Sequence, residues 1–374
     1  MVKILEVIGK RPRGGIGAFV LNYQSHFVGQ EVQLDYLIFS DEETGEFDNK
    51  VKKLNSNVYV LPELKNSRFF AIWFKINKFF RDHGKNYDAV HLHSVNIAFM
   101  VFKAAKINGI QHLIAHSHAT LYSDKFINGI RNRILCLGLK KHATHFLACS
   151  LAAGDFLYGK ENREKVLIFN NAIECEKFSF KNEVREKYRS ELQIENSLVI
   201  GHVGRFNEQK NHKYLIEIFN EVVKINRNAT LLLIGDGPLK KEIEEEVRRR
   251  NLTGNVKFLG QRNDVDKLLM AMDVFVLPSL YEGLPVVGVE AQATGLVCIM
   301  SDTITKEVDL GKVFFKSIEA KPYEWAEKIC NVELVTTDQR GQYSQIVASK
   351  GYEIETESKK LYNFYKTLGR ADRS

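Results

Sequence analysis

The sequence predicts an α/β protein with two domains, each built on a parallel β-sheet flanked by helices. Three observations predict this fold. The chain has 374 residues, more than one hydrophobic core usually covers. Short β-branched runs alternate with segments of helical periodicity. This alternation restarts after a charged stretch, 171–197, that contains no clear core strand. We therefore expect a first domain at 1–175, completed by a helix at about 352–374, and a second at 176–351.

The first domain is predicted from seven apolar, β-branched runs and five segments of helical spacing. The runs predict strands near 2–8, 32–38, 57–61, 87–92, 111–116, 144–149 and 165–169. The segments predict helices near 16–28, 67–82, 95–107, 126–141 and 150–158.

The second domain begins with a strand over 197–204 and continues with strands near 230–234, 255–259, 273–277 and 296–300. A last helix is predicted from apolar residues at helical spacing among charges, and we expect it to return to the first domain. Such sheets bind ligands beyond the carboxyl ends of their strands, so we expect a site in a cleft between two Rossmann-like domains.

Composition and charge exclude several function classes. The five cysteines are scattered without a CxxC pair, which is typical of a reducing compartment and provides no metal framework. No apolar run reaches the ~18 residues of a membrane span, so we expect a cytoplasmic protein. The net charge of +7 lies entirely in residues 1–175, with 23 Lys and Arg against 16 Asp and Glu. A basic half favours an anionic partner, but no nucleic-acid motif accompanies it, and we expect none to bind.

Two strand-end loops in the second domain carry charges suited to a phosphorylated ligand. In the first, Arg205 and Lys210 follow the strand at 197–204, where a cation can bind phosphate oxygens; a solvated loop would carry two cations equally well. In the second, Glu282 stands before a helix whose first amides, from Gly283 on, could hold a phosphate. Glu290 lies two turns into that helix among apolar neighbours, where a carboxylate needs a hydroxyl or a cation as partner. A capped helix with a second, coincidental acid is the structural alternative.

Two further loops lie in the first domain. The stretch Arg13-Gly14-Gly15-Ile16-Gly17 follows the first strand and opens a helix, where free amides attract phosphate, although it could be a plain tight turn. His116 and His118 alternate at the end of the strand near 111–116. They resemble metal ligands, but no third ligand with suitable spacing follows them. They are therefore either structural histidines or neutral rings that orient a sugar hydroxyl.

Taken in order, these loops resemble glycosyltransferase family 4, whose members include bacterial capsule and exopolysaccharide enzymes. The resemblance rests on Gly14-Gly15-Ile16-Gly17, Ala115-His116-Ser117-His118, Gly204-Arg205 with Lys210, Gly235-Asp236-Gly237-Pro238, and Glu282 with Glu290 in an E-x7-E pattern. Asn171-Ala172-Ile173, followed by Phe178, is similar to the family's interdomain segment, although the family usually has Asn-Gly there. The likeness covers nearly the whole chain and implies the two-domain GT-B fold.

The resemblance implies a role for each of these residues. Arg205 and Lys210 would bind the diphosphate of a nucleotide-sugar donor, and Gly15 and Ile16 would close over its phosphates. Glu282, with the amides of Gly283 and Leu284, would hold the sugar and phosphate. Glu290 would bind the ribose hydroxyls, and Arg262 would lie beside the base. A family histidine that lines the sugar site aligns better with His118 than with His116.

The implied reaction is retaining transfer of a hexose, with UDP-sugar favoured as donor, to a saccharide acceptor that we expect to be lipid-linked. Charge on the leaving diphosphate would be stabilised by cations and helix amides, so we expect no metal and no cofactor. Asp264-Val265-Asp266 spells the DxD of metal-dependent glycosyltransferases, but acidic residues also suit the helix start found there.

A helix over 67–81 combines a core face with an aromatic flank. Its apolar face is expected to contain Phe69, Ile72, Trp73, Ile76, Phe79 and Phe80. Phe70 and Phe74 fall off this face, near Lys78 and Arg81. Aromatic and cationic residues on one exposed flank suit an anionic membrane surface, although a solvated basic flank is the plainer interpretation. We therefore expect peripheral attachment to the inner face of the cell membrane.

Two other functions remain open at this point. One is a non-catalytic nucleotide-sugar-binding partner of another glycosyltransferase, which turnover by the purified chain would exclude. The other is a dehydrogenase or epimerase, against which the absence of GxGxxG argues.

Overall fold

A computed structural model describes residues 1–12, 15–42, 45–63, 69–122 and 126–369. The chain divides into two compact units, Met1–Ala172 with Ile354–Ser374, and Ile173–Glu353. The sequence had placed the chain crossings after residue 175 and at about residue 352. The second unit gains 173–175 and 352–353 because Ile173 pairs with Glu353 in a parallel bridge and donates its amide to the carbonyl of Tyr352.

The first unit is built on one sheet of seven parallel strands in the order β3-β2-β1-β4-β5-β6-β7. The strands are β1 Val2–Lys10, β2 Val32–Phe39, β3 Val58–Leu61, β4 Ala89–Leu92, β5 His112–Ser117, β6 His145–Ala148 and β7 Val166–Ile168. The predicted α/β fold and all seven predicted strands are confirmed.

Helices cover both faces of this sheet. They are α1 Gly15–Ser25, α2 Glu46–Lys53, α3 Phe69–His83, α4 Ala98–Ile107, α5 Phe126–Leu135, α6 Leu139–His142, α7 Leu151–Tyr158 and the returning C-terminal helix, which is α16 Ile354–Lys366. Successive strand residues face opposite sides. Leu5 and Val7 pack under α3 and α4, whereas Ile4 and Ile8 pack under α1 and α16. Glu6 therefore lies on the side covered by α1 and α16.

The second unit contains six parallel strands in the order β10-β9-β8-β11-β12-β13. They are β8 Leu198–Val203, β9 Ala229–Ile234, β10 Val256–Gly260, β11 Val274–Leu277, β12 Val297–Ser301 and β13 Val313–Lys316. The helices are α8 Asn182–Glu191, α9 His212–Ile225, α10 Lys240–Arg249, α11 Val265–Ala271, α12 Val286–Ala293, α13 Pro322–Asn331, α14 Thr337–Arg340 and α15 Tyr343–Val347. Chain order reverses between β8 and β11, the position at which doubly wound sheets bind ligands.

Several elements differ from the prediction, among them α2, Glu46–Lys53, where no helix was predicted. The single helix predicted over 126–141 is broken, because Gly138 adopts φ 84°, which a right-handed helix cannot continue through. Strand β13 was not predicted. It pairs with β12 at the sheet edge, and its apolar run is only Val313-Phe314-Phe315 between two lysines, with Phe314 42% exposed.

Across the described residues, no helix is both long enough and apolar enough to cross a membrane.

Candidate functional site

The strongest candidate site lies in the second unit, where β8 and β11 end. These strands are hydrogen-bonded neighbours, so the loops that follow them are adjacent. The loop after β8 leads into a short 3-10 helix, Glu208–Lys210. Asn207 caps the start of this helix, because its side chain accepts a hydrogen bond from the Lys210 amide at 3.2 Å. The loop after β11 is tied to it by a bond of 2.8 Å from the Leu280 amide to the Gln209 carbonyl.

Lys210 and Glu282 form an ion pair between these two loops. Lys210 Nζ lies 2.7 Å from Glu282 Oε1, and only 15% and 10% of the two side chains are exposed. Gln209 Nε2 donates to Glu282 Oε2 at 3.2 Å and to the Tyr281 carbonyl at 3.1 Å. The structure thus brings together two residues that lie 72 positions apart. A largely buried cation and anion at a strand-end switch point can receive a ligand that carries both phosphates and hydroxyls.

Glycines allow the neighbouring loops to approach this pair closely. Gly235 follows β9 with φ +135°, and a Cβ there would lie 2.1 Å from the Gly204 carbonyl oxygen. A Cβ on Gly237 would lie 2.4 Å from the Phe206 carbonyl oxygen. The Phe206 amide also donates to the Asp236 carbonyl at 3.0 Å. The Gly-Asp-Gly segment therefore supports the backbone on which Arg205 stands.

The other predicted residues of the second unit occupy different settings. Arg205 is exposed on the loop after β8. Gly283 and Leu284 are buried immediately before α12. Arg262 is exposed after β10, but it is held in a two-pronged ion pair with Asp264, at 2.8 Å and 2.7 Å. Glu290 lies on α12, partly buried.

The Asp264-Val265-Asp266 motif is engaged by protein groups. Asp264 accepts hydrogen bonds from Arg262 and, at 2.8 Å, from the Tyr188 hydroxyl. Chiefly because of the Arg262 hydrogen bond, the pKa of Asp264 falls to about 2. Asp266 is buried in the first turn of α11. This arrangement is that of a helix start stabilised by an ion pair.

Burial raises the pKa of Glu290 to about 7, against an attraction to Lys177 that lowers it. Lys177 lies in the 3-10 helix Cys175–Phe178 of the same unit. The sequence indicated that this carboxylate needs a hydroxyl or a cation as partner. Lys177 lowers the pKa of Glu290, but by less than burial raises it. When ionised, this carboxyl offers two acceptor oxygens, which suits recognition of paired hydroxyls.

Replacing Glu290 with Gln is expected to stabilise the protein at alkaline pH. Folding raises the pKa of the Glu290 carboxyl from 4.5 to about 7. Below pH 4.5 the carboxyl is protonated in both states and does not affect the free energy of unfolding. That free energy falls as the pH rises from 4.5 through about 7, because the folded state resists ionisation of this group. The full shift corresponds to about 3 kcal/mol, which partial exposure reduces to roughly 1–2 kcal/mol. Urea unfolding should show this gain at about pH 8.5 and almost none at about pH 5. An equal gain at both pH values would contradict the titration.

In the first unit, Gly15 and Ile16 begin α1. Gly15 is exposed, and a Cβ on it would meet nothing within 4 Å, so packing does not require a glycine there. Gly17 is different, because a Cβ on it would lie 2.9 Å from the Pro12 side chain. Arg13 and Gly14, which belong to the predicted loop, lie outside the described residues.

The histidine pair of the first unit has neighbours that were not predicted from the sequence. His91 and His93, from β4 and the residue after it, lie beside His116 and His118. The His91–His116 nitrogens are 3.0 Å apart and the His93–His118 nitrogens 2.7 Å. No third ligand follows the pair in the sequence; the partner histidines precede it, on and just after the adjacent strand β4. His116 is fully buried and His118 partly exposed, so only His118 is placed to meet a ligand.

A separate surface on the first unit is aromatic and basic. Phe70 and Phe74 on α3 are 75% and 70% exposed, whereas Ile72 and Phe80 are buried, as the helical periodicity predicted. Phe99 on the adjacent α4 is 47% exposed and stacks on Trp73. Exposed cations, among them Lys75, Lys78, Arg81 and Lys103, lie on the same two helices. We call the surface formed by Phe70, Phe74, Phe99, Lys78 and Lys103 the aromatic–basic surface.

Both halves of the chain match family models. Residues 13–177 match the model described as Glycosyltransferase Family 4, and residues 184–348 match the model described as Glycosyl transferases group 1. EpsF of Bacillus subtilis (strain 168), which is named as a glycosyltransferase, is 33% identical over 372 residues, which is 97% of this chain and 96% of EpsF.

Two further comparisons bear on the ligand. A UDP-Gal:alpha-D-GlcNAc-diphosphoundecaprenol alpha-1,3-galactosyltransferase of Escherichia coli is 30% identical over 228 residues, 58% of each chain. The crystal structure of HepE from Anabaena in complex with UDP and glucose matches with a TM-score of 0.79 at 20% identity, covering 97% of this chain and 99% of HepE. The structural likeness confirms the predicted fold of two Rossmann-like domains.

Proposed function

The chain belongs to glycosyltransferase family 4, and from this premise we propose that it moves a hexose from a UDP-sugar to a lipid-linked saccharide during surface polysaccharide synthesis. The observation that carries the proposal is the buried Lys210–Glu282 pair where β8 and β11 end. UDP is favoured because HepE was crystallised with UDP and glucose. A lipid-linked acceptor is favoured because the Escherichia coli relative is named for a diphosphoundecaprenol saccharide.

In this proposal the second unit binds the donor. Lys210 and the exposed Arg205 bind the diphosphate, and Glu282 accepts hydrogen bonds from sugar hydroxyls. The amides of Gly283 and Leu284, just before α12, donate to sugar and phosphate oxygens. Glu290 binds the ribose hydroxyls and Arg262 lies beside the base. The roles of Gly15, Ile16 and His118 remain predictions from the family resemblance.

The proposed reaction breaks the bond between the anomeric carbon and the diphosphate oxygen and forms a bond from that carbon to an acceptor hydroxyl oxygen. The acceptor attacks from the face that the diphosphate leaves, so the configuration is retained. The acceptor proton passes to the leaving phosphate oxygen. Lys210 and the helix amides stabilise the charge that develops on the diphosphate, a task that needs no metal ion.

A panel of UDP-, GDP- and dTDP-sugars, followed by turnover assays, tests the proposed function. A UDP-sugar is expected to raise the melting temperature most, since a ligand at 100 times its dissociation constant stabilises by about 2.7 kcal/mol. The same UDP-sugar should then be consumed in the presence of EDTA. Stabilisation without turnover, with lipid-linked acceptors supplied, would favour a non-catalytic binding partner, and loss of turnover in EDTA would contradict the metal-independent step.

The aromatic–basic surface is proposed to bind the anionic face of a membrane. Aromatic rings insert at the headgroup level while neighbouring cations attract anionic lipids, each by about 1 kcal/mol. Phe70 and Phe74 are exposed on the same helix as Lys78, and the Lys78 side chain is 67% exposed. Such a surface would bring the enzyme to a lipid-linked acceptor.

Sedimentation with liposomes tests this attachment. The protein is expected to bind vesicles containing anionic lipid at least tenfold more tightly than neutral vesicles, and Phe70→Ser with Lys78→Glu should abolish the difference. Lys257→Glu, a change of the same charge on the second unit, is the matched control and should bind like the unaltered protein. Equal binding to both vesicle types, unchanged by the double substitution, would remove the proposal.

A further inference from the structure

Glu6 on β1 lies within the histidine cluster, on the sheet face whose core includes Ile4, Ile8 and Ile114. Its side chain is 2% exposed, and its Oε2 atom lies near two histidines, with His91 Nδ1 at 3.4 Å. His93 Nε2 lies 2.6 Å from Oε2, and the Tyr365 hydroxyl donates to Oε1 at 2.7 Å. Burial acts to raise the pKa of this carboxyl, but its interactions with His91 and His93 outweigh burial and hold the pKa well below its usual value. Glu6 is therefore an ionised carboxylate, which accepts at both oxygens.

One chain of hydrogen bonds runs from Glu6 through His93 to His118. Because the carboxylate only accepts, His93 carries its proton on Nε2. Burial lowers the pKa of His93 to about 4, so near neutral pH its Nδ1 holds a lone pair. Nε2 of His118, at 2.7 Å, must donate to that lone pair. Burial also holds the pKa of His118 well below its usual value, which leaves Nδ1 of His118 unprotonated.

A second chain runs from Glu6 through Tyr365 and His91 to His116. The Tyr365 hydroxyl donates to Glu6, so its oxygen accepts from His91 Nδ1 at 2.5 Å. His91 Nε2 then accepts from His116 Nδ1 at 3.0 Å. This direction leaves a lone pair on His116 Nε2, a buried atom without a partner among the described residues. The opposite direction would bury an unpaired N–H there, which native structures tolerate less well.

The geometry points to Glu6 and His93 as positioning residues that fix the His118 ring with Nε2 as donor and Nδ1 as a free acceptor for a substrate hydroxyl. Within the described part of the chain no group bonds to Nδ1 of His118, and the side chain is partly exposed. A ring held at one nitrogen by a chain that ends on a buried carboxylate has one orientation and one tautomer. The identification of this hydroxyl as one of a sugar rests on the proposed function. The assignment of the histidine tautomers does not depend on that function.

The cluster is better explained as this network than as a metal centre. One nitrogen each from His91, His93 and His116 lie within 4.8 Å of one another, which is compatible with a metal ion. Five of the six ring nitrogens of these residues are, however, already hydrogen-bonded at 3.0 Å or less. A metal ion would have to break several of these bonds.

Long-range ¹H–¹⁵N spectra of histidine-labelled protein test the tautomers without any ligand. We expect His93 and His118 protonated on Nε2, and His91 and His116 on Nδ1, the tautomer that free histidine populates less. Single substitutions identify the resonances. Tyr365→Phe should shift the His91 and His116 resonances, because His91 Nδ1 can then donate only to Glu6 Oε2 at 3.4 Å, while His118 stays protonated on Nε2. A His118 protonated on Nδ1, a His118 that responds to Tyr365→Phe, or a shift of the cluster on addition of Zn²⁺ would overturn the inference.

Transfer assays test the positioning role. His93→Phe fills the same volume without a donor or acceptor and should lower kcat by about 10–100-fold, as loss of a supporting hydrogen bond commonly does. His93→Gln, whose amide can donate to Glu6 and accept from His118, should recover activity to within a few-fold. His118→Ala should lose no further activity when His93→Phe is added. Additive losses, or no rescue by Gln, would contradict the role. Inactivity of the unaltered protein would count against the proposed function alone, since the spectra decide the tautomers independently.

Discussion

Replacing Lys210 with Met is expected to lower transfer by about 10³-fold, the effect of removing one group that stabilises a transition-state charge, and Glu282→Gln should lower it comparably, because Glu282 holds both Lys210 and the sugar hydroxyls. Glu282→Gln keeps the shape but replaces the carboxylate that accepts from Lys210 Nζ at 2.7 Å. Lys210→Met keeps the length of the side chain but removes its charge from the diphosphate. Steady-state kinetics with the stabilising UDP-sugar measures both losses, and near-wild-type turnover in both variants would overturn the site.

The stability of these variants shows whether Lys210 and Glu282 act in transfer or in folding. Each single substitution leaves the other charge largely buried without the opposite charge of its ion pair, at a cost of roughly 2–3 kcal/mol. The double variant Lys210→Met with Glu282→Gln removes both charges and should be more stable than the sum of the single losses predicts, while its activity stays low. Lys213→Met, an exposed cation at the start of α9, is the matched control and should change neither quantity. A double variant that recovers activity would show that the charges act on folding rather than on transfer.

Replacing Gly235 with Ala is expected to destabilise the second unit by roughly 2–4 kcal/mol, through a strained backbone and a close contact. Its φ of +135° is rarely adopted by other residues, and the added Cβ would lie 2.1 Å from the Gly204 carbonyl oxygen. Because Gly204 precedes Arg205, the shift that relieves this contact also moves the loop proposed to bind the diphosphate.

The matched control for this substitution is Gly254→Ala. Gly254 is not at positive φ, and a Cβ there would meet nothing within 4 Å. Its melting temperature should stay close to that of the unaltered protein, whereas Gly235→Ala should lower both the melting temperature and the stabilisation by a UDP-sugar. A Gly235→Ala protein that matches the control in both measurements would show that the loop after β9 does not support the site.

The alternation of β-branched runs with helical segments was sufficient to predict both sheets, because each buried strand reads as a short apolar run. The edge strand β13 was missed because its apolar run, Val313–Phe315, is short, lies between two lysines and is only partly buried. The break between α5 and α6 depends on the positive φ of Gly138, and a glycine alone does not reveal which conformation it adopts.

The candidate site was predictable as a set of loops but not as a set of contacts. Placing Arg205, Lys210 and Glu282 at strand ends follows from the fold. The pairing of Lys210 with Glu282 depends on the conformations of two loops, which the spacing of residues does not determine. For the histidines a usable signal was present. His91 and His93 repeat the His-x-His spacing of His116 and His118, and such spacing places side chains on one face of a strand. Their contact requires β4 beside β5, which the chain order alone does not give.

Tyr365 and the rest of α16 come last in the sequence, yet they cover one face of the sheet that β1 through β7 form. During synthesis, β1 through β7 leave the ribosome before the helix that covers Ile4 and supplies a hydroxyl to Glu6. The amino-terminal unit therefore reaches its final packing only after all of Ile173–Glu353 has been translated. A fragment that stops at residue 172 should expose an apolar sheet face around a charge that lacks one of its donors, and should depend on chaperones to stay unaggregated.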